Sequence, residues 1–244
     1  MTKGTALLLL LLLAAFALVC LGIGRSSKKK NRAGRSSAED FLAELNSLER
    51  LEGFLKKTDA ALWVTALGEV QEKISAEKWH EIRGLIKKLK LEKELLSLLF
   101  HESEDIRAAA ADVLGEIKLP EAVEPLVRCL GDKNEGVQLS AGAALKKIKD
   151  PKAVKPLIEA LKHPHKWVPA RAAEVLIAFG KEAADSILKE WPSFGEKAGL
   201  VAEILGEIGD ERAVPKLIEL YSRSKDPRQR AAAVEALGRI NGEK

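Results

Sequence analysis

From about residue 90 to the end of the chain, apolar positions follow a short period nested inside a long one. Five ungapped segments align: Glu104–Ile117 (EDIRAAAADVLGEI), Glu135–Ile148 (EGVQLSAGAALKKI), Lys166–Phe179 (KWVPARAAEVLIAF), Gly195–Ile208 (GEKAGLVAEILGEI) and Pro227–Ile240 (PRQRAAAVEALGRI). Positions 3, 7, 10 and 14 of each segment are mostly apolar, a spacing that marks one face of an α-helix. Position 7 is small (Ala110, Ala141, Ala172, Val201, Ala233), and position 11 is Leu in every segment (Leu114, Leu145, Leu176, Leu205, Leu237). Small residues let a neighbouring helix approach, while the Leu and the terminal Ile or Phe fill a core. Gly follows the Leu in three segments (Gly115, Gly206, Gly238), where it leaves room for helices to crowd. A second helical pattern precedes each segment: KLEKELLSLLF at 90–100, PEAVEPLVRCL at 120–130, PKAVKPLIEAL at 151–161, KEAADSILKEW at 181–191 and ERAVPKLIELY at 211–221. Pro120 and Pro151 suit a helix start, where the missing N–H removes no bond. The repeating unit is therefore a pair of antiparallel helices that buries its apolar faces against the next pair.

Residues 38–89 carry a weaker version of the same pattern. Ser37 and Asp40 read as a capping-box-like helix start, followed by Phe41, Leu45, Leu48 and Leu55 at helical spacing. TALGEV at 65–70 echoes the repeat signature, and another helix is expected at 76–89. The region is expected to form degenerate capping helices of the same array, as terminal repeats do. The alternative, an amphipathic helix lying on a bilayer, fits poorly with its acid-rich polar face.

Before this comes an uncharged run from Gly4 to Gly24, unbroken Leu between 7 and 13. As a helix it would span about 30 Å, the thickness of a bilayer core. Only Lys3 and the terminal amine precede it, whereas six basic residues follow between Arg25 and Arg35, so the positive-inside rule sets the N-terminus outside and the body in the cytoplasm. The expectation is a single-pass anchor at 4–24 in the cell membrane and a basic flexible linker at 25–37, in which Lys28, Lys29 and Lys30 can meet anionic lipid. Two rivals exist. Gly22-Ile23-Gly24 offers a signal-cleavage pattern that would export the body, and Cys20 offers a weaker lipoprotein pattern. The chain's formal charge of +4 reflects this neighbourhood, since residues 36–244 hold 33 basic residues against 36 acidic ones. A body of that balance lacks the electrostatic footprint of a nucleic-acid binder.

The pattern AV-x-PLI-x-AL, a short acidic turn and AAA-x-x-LG-x-I resembles HEAT-type repeats, in particular the short bacterial variety named after phycobilisome lyases. The resemblance covers about 90–244. It implies an all-α fold: a right-handed α-solenoid of stacked antiparallel helix pairs, five at 90–244, here preceded by the transmembrane helix. It also implies that the second helix of each pair lines a concave face.

The residues that could carry chemistry are few. His80-Glu81 and His101-Glu102 are the type of pair that binds iron in some repeat hydroxylases, but only two pairs occur and neither lies in an aligned segment. His163 and His165 flank Pro164 without a nearby carboxylate or Cys to complete a ligand set. Cys129 stands where Ala160 and Leu220 stand in other units and reads as a packing residue. No phosphate loop, nucleophile elbow or Cys-His pairing occurs. The expectation is a protein without catalytic residues, cofactor, metal or small-molecule substrate; the rival is a lyase-like or metal-dependent repeat enzyme. If positions 3, 7, 10 and 14 are buried, positions 9 and 13 face outward. There Asp112, Glu116, Glu174, Glu203, Glu207 and Glu235 form an acidic stripe suited to a basic protein partner.

Overall fold

The computed structural model describes residues 47–164 and 167–242. The anchor expected at 4–24, the linker at 25–37, the helix start at Ser37 and His165 lie outside them. No helix among the described residues is long and apolar enough to cross a membrane. These residues are helical or turn throughout, without a strand, and divide after Leu91 into two compact units.

The first unit holds α1 (Leu48–Lys57), α2 (Ala60–Val70) and α3 (Ala76–Leu89). Each starts where a short polar side chain satisfies an orphan amide: Asp59 Oδ1 accepts from Ala61 N at 2.8 Å, Ser75 Oγ from Lys78 N at 3.3 Å, and Ser47 caps α1. Trp63, Val64 and Leu67 of α2 and Ile82 and Ile86 of α3 are all buried. Glu52 ties α1 to α3 by accepting from Lys56 Nζ at 2.7 Å and Lys88 Nζ at 2.8 Å. Those two hydrogen bonds hold its carboxyl down at about 2.

The second unit is the repeat array. Its first helices are α4 (Glu92–Ser97), α6 (Val123–Cys129), α8 (Val154–Leu161), α10 (Lys181–Glu190) and α12 (Val214–Arg223). Its second helices are α5 (Glu104–Glu116), α7 (Glu135–Ile148), α9 (Trp167–Phe179), α11 (Ala198–Ile208) and α13 (Pro227–Gly242). Pro120 and Pro151 open a 3-10 turn that feeds α6 and α8, and Glu211–Ala213 does the same for α12. The chain leaves α5, α7, α9 and α11 through a left-handed residue: Lys118 (φ 49°), Lys149 (φ 48°), Gly180 (φ 64°) and Gly209 (φ 70°). This conformation turns the backbone back toward the next first helix and satisfies terminal carbonyls, as the Lys149 amide does by donating to Leu145 O at 2.9 Å.

Packing follows the expected face with three aliphatic exceptions. Val137, Ala141 and Ala144 are buried as predicted, and so are Ala110, Val113 and Ile117. Ile106, Ile148 and Ile208 are only half-buried. Position 12 correlates with position 10 of the next second helix. A Cβ on Gly115 would lie 2.7 Å from Ala144 Cα, and one on Gly206 would lie 2.7 Å from Ala236 Cα. Where Lys146 and Ile177 replace the glycine, Val175 and Ile204 replace the alanine. The second helices therefore form two closely packed pairs, α5 with α7 and α11 with α13, with looser contacts where α9 meets α7 and α11.

A polar device recurs at position 4. Arg107, 5% exposed, reaches Asp132 through Nε and Nη2, both at 2.8 Å. Its Nη1 donates to the carbonyls of His101 and Glu102 at 2.8 and 2.9 Å. Gln138 Nε2 donates to Asp132 O at 2.7 Å, and Arg230 Nη1 to Ser224 O at 3.0 Å. In each case a side chain from the second helix fastens the turn that precedes it, supplying partners for backbone carbonyls.

Candidate partner-binding groove

Between α9, α11 and α13 lies an open groove of about 300 Å³. Its apolar lining is Ala173, Ile177, Leu200 and Ile204, and its polar lining is Glu203, Glu207, Glu235 and Arg239. The groove arises from the packing pattern above. Ile177 and Ile204, which both line it, occupy the positions that Gly and Ala hold between α11 and α13, and α9 packs less closely on α11 than α11 does on α13.

Three of the six residues read from sequence, Glu203, Glu207 and Glu235, converge here. The other three do not. Glu174 is exposed on α9 and accepts from Arg171 Nη1 at 3.0 Å, while Arg171 Nη2 also meets Glu135 of α7 at 2.9 Å. Glu116 is half-buried and paired with Lys147 of the next second helix, and Asp112 is half-buried on α5. Cations interleave with the stripe. Arg239 lies 3.0 Å from Glu207 and 3.9 Å from Glu235. Glu203 makes no ion pair with any described residue. The groove thus sets three carboxylates and one guanidinium over an aliphatic floor, an excess of negative charge beside buriable surface. Sequence reasoning found the acids from helical spacing but missed the floor, since Ile177 and Leu200 fall outside the four core positions.

His101 and Cys129 have structural roles. His101 accepts from Ser103 N through Nδ1 at 3.0 Å, and its carbonyl holds Arg107. Among the described residues no three His, Cys, Asp or Glu side chains cluster as a metal site would require. Cys129 is buried with its thiol 3.8 Å from Leu99 O, and burial pushes that thiol up to about 11. A thiol so placed holds almost no thiolate at neutral pH. Cys129 should therefore stay unmodified by a soluble thiol reagent at pH 8 in the native protein and react fully once urea unfolds it; labelling of the native chain at that position would contradict the buried placement.

A sequence model of the family described as HEAT repeats matches residues 63–146, 91–178, 132–191 and 193–244. A search of curated proteins finds no match. Among solved structures, an engineered protein is 23% identical, with 80% of this chain and 99% of that chain covered at a TM-score of 0.44. A designed armadillo repeat protein is 17% identical, with 83% of this chain and 99% of that chain covered at a TM-score of 0.42. The family match extends over well more than half of the sequence and its period is that of the stacked helix pairs: the chain belongs to the HEAT-repeat family.

Proposed function

We propose that the array is a membrane-tethered, non-catalytic scaffold that holds a basic segment of a partner protein in the groove between α9, α11 and α13. The observation that carries this reading is the union of an aliphatic floor with Glu203, Glu207 and Glu235 in one concavity. A lysine or arginine side chain is amphipathic in the same sense: its stem covers apolar surface while its head stays with charge. The stem would lie on Leu200 and Ile177, and the cationic head would meet Glu203, which makes no ion pair with a described residue. The short repeat spacing supports the phycobilisome-lyase-like variety of HEAT repeat. The variety's name brings no bilin chemistry with it here, because the shared residues are those that build the helices.

The reading is tested with a fluorescent Lys/Arg-rich peptide and the double reversal Glu203→Lys, Glu235→Lys. Binding at low salt should weaken at least about tenfold, as expected when attractive charges at an interface become repulsive. The helical circular dichroism should stay unchanged, since both side chains are exposed. Affinity for the unaltered protein should also fall as salt rises, because exposed charges are screened. Undiminished binding by the reversed variant would sink the groove as the site.

Tethering raises the effective concentration of the scaffold for partners at the same surface. It rests on the uncharged run at 4–24 and the basic residues that follow it, including Lys28, Lys29 and Lys30. A reporter active only in the cytoplasm, fused after Lys244, should be active and membrane-bound, with the N-terminal segment uncleaved on a blot. A cleaved or inactive fusion would move the array to the other side of the membrane and replace this part of the reading.

A further inference from the structure

We infer, on the reading of the groove as a site for a basic segment, that Arg239 is its resident cation and limits it to one basic side chain of the ligand. Arg239 reaches from α13 to α11, where its Nη1 lies 3.0 Å from Glu207, and its Nη2 lies 3.9 Å from Glu235 one turn back on its own helix. Two of the three carboxylates that line the groove thus already face a guanidinium, and Glu203 makes no ion pair with a described residue. The pairing is in part a tie between repeats, since Lys147 of α7 reaches Glu116 of α5 from the same position 13. Position 9 makes the difference. It holds Asp112 and Ala143 on α5 and α7, but Glu203 and Glu235 on α11 and α13. The second tie therefore stands among additional acids and in a concavity, with 42% of the Arg239 side chain, 48% of Glu207 and 67% of Glu235 exposed.

Spacing sets what a ligand can offer. Glu203 and Glu207 stand one turn apart on α11, with Cβ atoms about 6 Å from each other. Side chains two residues apart on an extended peptide share a face and are about 6.6 Å apart. A peptide with lysines at i and i+2 therefore matches, in length, Glu203 and the place between Glu207 and Glu235. Arg239 already holds that second place. An incoming lysine must either displace the guanidinium from its carboxylates or sit beside a like charge, and each cancels most of what the second lysine would add. Exposed ion pairs hold Arg239 only weakly, but it is part of α13 and so competes at a high effective concentration. The first lysine, at Glu203, meets no such competitor.

The test uses two fluorescent peptides that differ in one residue, Lys-Ser-Ser and Lys-Ser-Lys within the same neutral extended sequence. Each is titrated at low salt into the full chain in detergent, with and without Arg239→Gln. On the unaltered chain the second lysine should change the dissociation constant by less than about twofold. On the variant it should tighten binding at least about threefold, the gain expected of one more attractive pair at a partly exposed site. The urea midpoint reports the structural part of the tie separately, since loosening α13 from α11 would shift that midpoint without favouring one peptide over the other. A second lysine that already gains threefold on the unaltered chain would overturn the inference, and so would a variant on which it gains nothing. Failure of the groove itself looks different: neither peptide binds the unaltered chain, or binding survives the reversal of Glu203 and Glu235, and either result takes this inference down with it.

Discussion

Replacing Arg107 with alanine should destabilise the repeat array by about 3–5 kcal/mol, the cost of stranding one member of a buried ion pair. The guanidinium is nearly inaccessible and engages four acceptor atoms: both carboxylate oxygens of Asp132 and the carbonyls of His101 and Glu102. Without it, Asp132 keeps only the Asn134 amide at 2.8 Å, and two carbonyls lose their donor. Urea unfolding at pH 7 should show the full loss. The pH dependence gives the sign of the effect. Burial alone pushes the Asp132 carboxyl up, but Arg107, the Asn134 amide and nearby positive charge outweigh it and hold the group below its ordinary 3.8. A carboxyl whose value is depressed by folding stabilises the native state above its unfolded value and loses that contribution as pH falls through the folded one. The difference between native protein and variant should therefore be greatest near neutrality and shrink below about pH 4. An equal difference at pH 7 and at a pH well below the folded value of Asp132 would show that the arginine acts through the carbonyls of His101 and Glu102 and its packing, not through the ion pair.

The second large effect is expected at Gly206. A leucine there places its Cβ 2.7 Å from Ala236 Cα and 2.8 Å from Ala236 Cβ, and neither backbone nor a bare methyl can move aside. Helices α11 and α13 must separate, at about 1–3 kcal/mol or more for an overpacked contact. Gly84→Leu in α3 is the control. Nothing lies within 4 Å of a Cβ at that position, so the substitution should raise helix stability slightly. Because Glu207 and Glu235 stand on the two helices that Gly206→Leu forces apart, peptide binding should fall along with stability, whereas Gly84→Leu should leave both intact.

The two substitutions differ in how visible their sites were from sequence. Gly206 was legible: its register with Gly115 and Gly238, directly after a Leu shared by the five segments, indicates crowded helices, as found at Gly115 and Gly206 but not at Gly238. The second helices themselves were legible to within one turn, because a 14-residue apolar pattern repeated five times averages out local exceptions. Arg107 was not. It sits beside the apolar stripe as one more charged residue, and its burial depends on Asp132, 25 residues away in the next turn. The groove was half legible for the same reason. Helical spacing placed the acids, but Arg239 and Lys147 reach Glu207 and Glu116 from the neighbouring repeat, and one repeat's pattern does not show where a long side chain from the next will land.

The alternation of small and bulky residues between successive second helices has a mechanical corollary. The two pairs joined by Gly–Ala contacts are expected to bend least, and the layer between them, set on Val175, Ile177 and Ile204, to bend most. Bending of the array should concentrate at α9, so its soft axis runs along the floor of the groove. A ligand seated there would act where the array is expected to bend most easily.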